Sequence, residues 1–474
     1  MTHRVAGAPL DFAALRSDLE VPGDFAPDVH AEARAIAQRG SRADVEHVDA
    51  TDIPLVTIDP AGSRDLDQAV HISADGDGHV VHYAIADVAA FVLAGGAIDE
   101  EAHRRGETLY LPDGRAPLHP PELSEDAASL LPGVVRPAVL WRIRLDGRGA
   151  ADQVEVTRAM VRSVAQLDYA GVQAQLDSGT LPDPIRELPT VGRRRLSLAR
   201  ERHAINLDLP EQLVSSDGNG GWTITLRAQT PVEQYNAEIS LLTGMCAAQL
   251  MLDHGYGLLR TVPPAEDRAI HALRRAARAL HIDWPDGMPA GDVLDSVDRS
   301  DPRHMAFVEH AVSLLRGAAY VAFDGQAPEQ PLHSGIGAPY THVTAPLRRL
   351  VDRYTSEICL SAQAGSPVPE WVRSALPTLP EEMKRADQKA HQVDRAVVDE
   401  TEAWLLSDRV GQVFDAVVID AEGDAGTVVL DDPAVRARCD GTGLPIGERV
   451  RVRLTTADVP SRLVRFERVE RSDQ

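Results

Sequence analysis

The order in which strand-like and helix-like segments follow one another is the feature that most constrains the fold. From about Asp52 the chain consists of short β-rich runs such as "IPLVTID", "QAVHI" and "HVVHYAIADVAAFV". Helical patterns then dominate, first over Ser163–Arg202 and later up to residue 409, with Pro- and Gly-rich loops between them. From about Val410 strands and tight turns return. This order predicts an α+β fold, in which a mixed sheet and its helices precede a second, strand-rich unit.

Three segments follow from this pattern. Residues 1–50 would be a short helical lead-in, in which "PDVHAEARAIAQRG" predicts a helix that stops at Gly40. Residues 51–409 would form the main domain, in which a mixed β-sheet is surrounded by helices. Residues 410–474 have the length and the strand content of a small OB-like β-barrel.

Composition limits the classes of protein to consider. The 474 residues carry a formal net charge of −24, which argues against a broad basic surface for nucleic acid but leaves room for local positive potential inside a channel. No apolar run approaches the ~20 residues of a membrane-spanning helix, and the N-terminus lacks the pattern of a signal peptide. Cys246, Cys359 and Cys439 are scattered, which argues against a structural zinc site. We therefore expect a cytoplasmic protein that does not associate with membranes.

The stretch "TIDPAGSRDLDQA" gathers Asp59, Asp65 and Asp67 within nine residues. On an extended segment Asp65 and Asp67 face the same way, while Leu66 points into the core. Three such carboxylates suit Mg²⁺ together with substrate phosphate oxygens, and two ions about 4 Å apart can cleave a phosphodiester. A solvated acidic turn, a calcium loop without EF-hand spacing and a phosphatase with an aspartyl nucleophile remain alternatives.

The same stretch resembles the signature of the ribonuclease II/RNB family, in which four aspartates occupy the positions of Asp59, Asp65, Asp67 and Gln68. Further blocks of the family follow in order, among them "GGAIDEEAHRRGETLYLP", "HSGIGAPYTHVTAPLRRLVDRY" and "QVDRAVVDETEAWLLSDRVG". The resemblance covers roughly residues 50–410. On these blocks the chain is identified as a member of the family, in a short form that we expect to lack the N-terminal cold-shock domains.

This resemblance implies a fold and an activity. The fold would be an RNB catalytic domain enclosing an RNA channel, followed by an OB-like barrel. The activity would be metal-dependent hydrolysis of single-stranded RNA in the 3′→5′ direction, releasing nucleoside 5′-monophosphates. Mg²⁺, with Mn²⁺ as a substitute, would be the cofactor, and no small-molecule cofactor is expected. The sequence indicates no particular protein partner.

The resemblance also assigns site residues. Asp67 and Arg348 would be catalytic, and the metal ligands would be Asp59, Asp65, Asp67 and Gln68. Tyr110 would stack on the terminal nucleotide, since an aromatic face binds any base. Six further positions fall where the family contacts RNA: Glu238, Tyr340, Thr341, His342, Arg349 and Asp394. Ordinary structural roles compete for several of these, namely helix-surface ion pairs for Glu238 and Asp394, a structural histidine for His342 and a surface charge for Arg349.

Gln68 is the main departure from the family pattern. Its side-chain oxygen is neutral and would hold a cation more weakly than a carboxylate does. Three hypotheses follow: an active exoribonuclease, a catalytically impaired RNA-binding protein, or a hydrolase of short RNAs without the gripping surface of the N-terminal barrels. We favour activity, because Asp59, Asp65, Asp67, Tyr110 and Arg348 occur together in one chain.

Overall fold

A computed structural model describes residues 10–299 and 301–469 of the chain. Eight strands lie in its first third: β1 (Val48–Asp49), β2 (Leu55–Asp59), β3 (Gln68–Asp75), β4 (Gly78–Ala86), β5 (Leu109–Leu111), β6 (Gly114–Ala116), β7 (Val135–Leu145) and β8 (Ala151–Asp168). Six of them form one mixed sheet in the order β1-β8-β2-β3-β4-β7, and β5 pairs with β6 in a separate hairpin. The long strand β8 pairs with β7 along its first part and, in parallel, with β2 along its last part. The sheet therefore curls around its own interior.

Twelve α-helices accompany the strands in the residues that the structure describes. They are α1 (Ala13–Asp18), α2 (Pro27–Arg39), α3 (Ala97–Arg105), α4 (Tyr169–Ser178), α5 (Leu188–Glu201), α6 (Pro231–His254), α7 (Asp267–Ala279), α8 (Ala290–Ser296), α9 (Pro302–Ala311), α10 (Leu350–Ala364), α11 (Glu370–Ala375) and α12 (Leu379–Leu406). Small antiparallel pairs of strands lie among them: β9 (Glu211–Ser216) with β10 (Trp222–Arg227), β11 (Tyr256–Thr261) with β12 (Ala319–Asp324), and β13 (Leu332–His333) with β14 (Ala338–Pro339). None of the helices in the described residues is long and apolar enough to cross a membrane.

The main core lies between the curled sheet and helices α6 and α10. Tyr83 and Trp141, on β4 and β7, are fully buried there together with Tyr354 of α10. Burying such aromatic side chains removes roughly 150–250 Å² each from water, which makes them large contributors to stability. The helix α6 begins with a capping box at Thr230 and Glu233, which satisfies two backbone donors at its N-terminus. This core fixes the sheet and α6 as one frame for the strand ends described below.

The last strands form a closed barrel in the order β15-β16-β17-β19-β18. Their bounds are β15 (Val413–Glu422), β16 (Ala425–Val429), β17 (Arg436–Asp440), β18 (Arg449–Asp458) and β19 (Leu463–Arg468). Phe414 and Phe466 meet edge to face inside it. Glu402 of α12 accepts hydrogen bonds from the backbone N–H of Arg436 and from Gln212, each at 2.7 Å, and so ties the barrel to α12 and β9.

The predicted α+β fold with a C-terminal OB-like barrel is confirmed. The helix predicted from "PDVHAEARAIAQRG" is also confirmed, since α2 ends at Arg39 and Gly40 follows it at a φ of +78°. One prediction needs correction, because Ser163–Asp168 is the end of strand β8 and not the start of a helix. Hydrogen bonding to β2 provides the partner that decides between the two conformations there.

Candidate active site

The acidic stretch connects the end of β2 to the start of β3. Asp59 is the last residue of β2, and Asp67 directly precedes β3. Gly62 turns the connection with a φ of +85°, a conformation that side-chain-bearing residues rarely adopt. Leu66 is fully buried, so the expectation that it points into the core is confirmed. Burial, together with the charge of Asp65, raises the pKa values of both Asp59 and Asp67, and this effect of Asp65 places the three carboxylates near one another. The connection therefore gathers the three carboxylates at one end of the sheet.

Asp67 lies deepest of the three. Its Oδ1 atom accepts a hydrogen bond of 2.7 Å from the backbone N–H of Leu347, and its Oδ2 atom lies 3.3 Å from Nε of Arg348. Burial raises the pKa of Asp67 to about 8, although the charge of Arg348 and the Leu347 hydrogen bond act in the opposite direction. The carboxylate is thus costly to ionise without additional positive charge.

Asp59 is a second, partly buried carboxylate at this site, and no ion pair within 4 Å is found for it among the described residues. Its Oδ2 atom is buried and makes no hydrogen bond. Burial, followed by the charge of Asp65, raises the pKa of Asp59 to about 6. An unpartnered buried carboxylate oxygen is uncommon, because it forfeits its solvation without a replacement. It marks the position where a cation would be most stabilising.

Asp65 is held by an arginine that the sequence analysis did not single out. Nη1 of Arg115 donates to Asp65 at 2.6 Å, and Nη2 of the same guanidinium donates to Glu125 at 2.5 Å. Arg115 lies on β6, directly opposite Tyr110 on β5. The turn sequence "PDGRA" signals the hairpin, but it does not reveal that the arginine reaches back over fifty residues to the acidic stretch.

Tyr110 projects from this hairpin beside the acidic cluster. Its side chain is 49% exposed, whereas its neighbours Leu109 and Leu111 are buried. Arg115, which pairs opposite Tyr110 in the hairpin, binds Asp65, and burial followed by the charge of Asp65 raises the pKa of Tyr110. The structure therefore brings together an accessible aromatic ring and the aspartates, as stacking on a terminal nucleotide would require.

Arg348 approaches the cluster from the loop of residues 343–349, which we call the arginine loop. The Arg348 side chain is 44% exposed, so a ligand can reach its guanidinium while Nε stays near Asp67. Arg349 instead turns inward and binds both carboxylate oxygens of the fully buried Asp352, at 2.5 and 2.8 Å. The surface-charge alternative for Arg349 is therefore wrong, and its guanidinium is committed to an internal ion pair. Asp352, which the sequence analysis missed, lies in the first turn of α10, three residues after Arg349.

Tyr340 and Thr341, which precede the arginine loop and are predicted to contact RNA, are both buried. Thr341 is 0% exposed and donates its hydroxyl to the carbonyl of Leu258 at 2.7 Å. Tyr340 is also buried, and its ring packs so closely on α6 that a Cβ built on Gly244 would lie 2.2 Å from it. The prediction that the side chains of Tyr340 and Thr341 contact RNA directly therefore needs correction, because both side chains are enclosed by protein.

His342 lies next to this buried segment. Its Nδ1 atom is 2.6 Å from the hydroxyl of Tyr320. Burial, followed by the charge of Arg349, holds the pKa of His342 well below its ordinary value, so the imidazole is neutral at pH 7. A neutral ring with a fixed hydrogen-bond partner agrees with a structural role for His342, the alternative to RNA contact named in the sequence analysis.

Glu238 and Asp394 lie on different helices. Glu238 is buried on α6, with Oε2 at 3.9 Å from Nε of Arg195 on α5. Glu238 therefore faces α5 and not the acidic cluster. The ion pair considered for Glu238 in the sequence analysis is present, but the pair is buried and not on the surface. Asp394 is exposed on α12. Its neighbours Val393 and Val397 on the same helix pack on the β5–β6 hairpin. Of the two, the structure places only Asp394 near the hairpin that carries Tyr110.

Gln68 makes two hydrogen bonds within the protein. Its Nε2 donates to the carbonyl of Thr344 at 2.7 Å, and its Oε1 accepts from the hydroxyl of Tyr83 at 2.6 Å. Neither partner is adjacent to it in sequence, which is why the sequence could not reveal them. Unlike Asp59, Gln68 thus has no free polar atom in this arrangement.

Carboxylate oxygens are the donor atoms at this site that could serve a divalent cation. As the side chains are placed in the described part of the chain, no group of three or more His, Cys, Asp and Glu residues could hold a metal ion. The donor chemistry is nevertheless suitable, since carboxylate oxygens are preferred ligands of Mg²⁺ and Mn²⁺. The buried Oδ2 of Asp59, which lacks a partner, and the raised pKa values of Asp59 and Asp67 both indicate a deficit of positive charge. Asp59, Asp65 and Asp67 are therefore the residues that would hold the ion.

Comparisons with known proteins agree with this architecture. The RNB domain matches residues 47–362, and the RNase II-type exonuclease C-terminal S1 domain matches residues 412–469. Exoribonuclease 2 of Cronobacter sakazakii is 26% identical over 406 residues, which are 82% of this chain and 62% of that protein. The chain spans only about a third to three-fifths of the length of the curated relatives it matches.

Two solved structures share the fold. RNase R of Mycoplasma genitalium, determined with ribose-methylated single-stranded RNA, superposes with a TM-score of 0.86 at 20% identity, covering 96% of this chain and 77% of that one. Yeast Ssd1, described as a pseudonuclease, superposes with a TM-score of 0.70 at 15% identity, covering 90% of this chain and 57% of that one. These likenesses establish the fold alone. Since the RNB domain match extends over more than half of the sequence, the chain belongs to the RNB family.

Proposed function

We propose that this chain is a metal-dependent 3′→5′ exoribonuclease that hydrolyses single-stranded RNA to nucleoside 5′-monophosphates. The single observation that carries the proposal is the convergence of three carboxylates and Arg348, with Nε of Arg348 at 3.3 Å from Asp67, beside the exposed ring of Tyr110. Membership of a family that includes exoribonucleases supports it.

Each group has a role that follows from its environment. Mg²⁺, or Mn²⁺ in its place, would be held by Asp59, Asp65 and Asp67, and when bound it supplies Lewis acidity and lowers the pKa of water near the phosphodiester. Arg348 would stabilise negative charge that develops on the phosphate oxygens, because its exposed guanidinium is fixed at the edge of the cluster. Tyr110 would stack on the terminal base and hold the chain end in place.

The acidic net charge of −24 is compatible with this substrate. RNA affinity depends on the local potential where phosphates bind, and Arg115 and Arg348 flank the carboxylates at that point. We further propose that the protein acts in the cytoplasm, because Cys246, Cys359 and Cys439 are all buried and unpaired, as is usual in a reducing compartment.

Product analysis tests the proposed activity. Uniformly labelled linear RNA should give only nucleoside 5′-monophosphates, while circular RNA of the same sequence should survive because it offers no 3′ end. Asp67→Asn should abolish release, whereas the matched carboxylate-to-amide change at the exposed Asp152 should leave it unchanged. Cleavage of the circle, or oligonucleotide products from the start, would contradict an exonuclease.

One observation favours a second candidate, an RNA-binding protein without turnover. Gln68 occupies a position where the family pattern has an aspartate, and both ends of its amide are engaged by the protein. If that carboxylate were indispensable, RNA would bind and remain intact. The same assay separates the two candidates, since an RNA that is retained on the protein but never shortened supports the second.

A further inference from the structure

The residue that replaces the fourth aspartate of the signature is the starting point. Gln68 opens β3 immediately after Asp67. We propose that Gln68 is a positioning residue, which ties the sheet to the arginine loop through its amide and does not ligate the metal ion. The inference deepens the proposed function and rests on it, because Arg348 is the group that it positions.

The hydrogen-bond donors and acceptors around Gln68 match an amide and not a carboxylate. The carbonyl of Thr344 can only accept, so the atom 2.7 Å away must carry a proton, which identifies it as Nε2. The hydroxyl of Tyr83, at 2.6 Å, donates to Oε1 at the other end. Flipping the amide would set two acceptors against each other at Thr344. The surroundings therefore specify both the orientation and the chemical identity of this side chain.

The hydroxyl that donates to Oε1 of Gln68 is itself held in place by a second hydrogen bond. Tyr83 is almost fully buried, and its hydroxyl also lies 2.8 Å from Oγ of Ser240 on α6. Because the single proton of Tyr83 goes to Gln68, Ser240 must donate to the Tyr83 oxygen. Burial raises the pKa of Tyr83, so the phenol stays protonated and remains a donor. Three elements, β3, β4 and α6, thus converge on one amide.

The other end of the amide reaches the arginine loop. Hydrogen bonds from other parts of the fold hold the backbone of that loop. Gln68 binds the carbonyl of Thr344, Asp352 accepts from the N–H of Ala345 at 2.7 Å, and Asp67 accepts from the N–H of Leu347 at 2.7 Å. Arg348 follows directly, and its carbonyl accepts from the N–H of Thr108 at 2.9 Å. Losing the Gln68 anchor frees the loop at its start, while the other three anchors remain. Displacements of about 1 Å at a reacting centre can cost large factors in rate.

A shorter or charged residue would not replace this function. Glutamate has the length of glutamine, but its carboxylate would place an acceptor against the Thr344 carbonyl and lose that hydrogen bond. Aspartate is shorter by one methylene and would not span the same two partners. The structure therefore explains why an acidic residue is absent here, since the position has become a bridge between two parts of the fold.

Two quantities separate a positioning residue from a weak metal ligand. One is the affinity for Mn²⁺, measured by electron paramagnetic resonance on the full chain without RNA. The other is the division of the kinetic effect between kcat and KM for RNA. The variants are Gln68→Met, which keeps the length without polar atoms, Gln68→Glu, and Asp59→Asn as the ligand control.

For a positioning residue, Gln68→Met leaves the Mn²⁺ affinity within about twofold, whereas Asp59→Asn weakens it by tenfold or more. Both Gln68 variants lower kcat about tenfold, which corresponds to about 1.4 kcal/mol, with little change in KM, because Arg348 acts on charge that develops in the transition state. A Gln68→Glu variant with tighter Mn²⁺ binding and faster turnover, or a Gln68→Met variant with weakened Mn²⁺ binding, would overturn the inference.

A second variant covers the case in which a Gln68 substitution fails to fold. Tyr83→Phe removes only the hydroxyl that supports the amide oxygen, and we expect a smaller loss of kcat that is not additive with Gln68→Met, because the two act through one bridge. Fully additive losses would contradict the bridge. If the wild-type protein degrades no RNA, the proposed function fails, but the Mn²⁺ measurement still decides whether Gln68 is a ligand.

Discussion

The ion pair between Asp352 and Arg349 offers a sharp test of how the arginine loop is held. Asp352 is fully buried and accepts three hydrogen bonds, two from the guanidinium of Arg349 and one from the backbone N–H of Ala345. The change Asp352→Asn keeps the shape of the side chain and an oxygen that can accept from Ala345, but it removes the charge. Arg349, which is only 15% exposed, then remains in the interior without a counterion.

The expected magnitude follows from this geometry. Breaking a buried ion pair from one side typically costs about 3–5 kcal/mol, because the remaining charge is neither solvated nor paired. We therefore expect Asp352→Asn to lower the free energy of unfolding by about this amount. Adding Arg349→Met removes the stranded charge, so the double variant should be more stable than Asp352→Asn alone.

Urea unfolding, followed by tryptophan fluorescence and far-UV circular dichroism at pH 7.5, measures the effect. Asp152→Asn serves as the matched control, because it makes the same chemical change at an exposed position and should shift stability by no more than about 0.5 kcal/mol. If Asp352→Asn unfolds like the control, or if the double variant is less stable than the single one, the reasoning about the buried pair is refuted.

Three further predictions concern other parts of the molecule. Burial raises the pKa of Glu402 from 4.5 to about 7, so the unfolded chain loses this proton at a lower pH than the folded protein does. The free energy of unfolding of the wild type therefore falls as the pH rises from 4.5 to 7. In urea unfolding, Glu402→Gln should be about 3 kcal/mol more stable than the wild type at pH 8 and equally stable at pH 4. Tyr110→Ala should weaken RNA binding by about 1–3 kcal/mol in fluorescence anisotropy on an Asp67→Asn background, and Tyr110→Phe should not. Gly244→Ala should lower the free energy of unfolding by about 1–3 kcal/mol in urea unfolding, because the new Cβ would lie 2.5 Å from the backbone carbonyl oxygen of Thr341.

Local patterns in the sequence predicted much of the architecture. The acidic stretch follows a β-branched run and lies at a strand end, as its composition and Pro60 indicate. The return of strands after Val410 corresponds to the closed barrel that begins at Val413. These features depend on residues close together in the chain, and so periodicity and turn chemistry were sufficient to find them.

Long-range partners explain what the sequence could not predict. The segment Ser163–Asp168 contains good helix formers, yet pairing with β2 makes it a strand. Arg115 pairs with Asp65 from fifty positions away, and Gln68 binds Thr344 across 276 positions. No local pattern records such contacts. The same limitation explains Glu238, whose partner Arg195 lies on a neighbouring helix.

Shortening of a 5′-labelled single-stranded RNA is the measurement that tests the account most directly. The wild-type protein and Asp67→Asn would be incubated with the RNA in Mg²⁺, in Mn²⁺ and in EDTA, and the products resolved to single nucleotides. The account predicts a ladder that shortens from the 3′ end with either metal and is absent with EDTA or with Asp67→Asn. RNA that stays intact with wild-type protein and Mg²⁺, or shortening that persists in EDTA, would contradict a metal-dependent exoribonuclease.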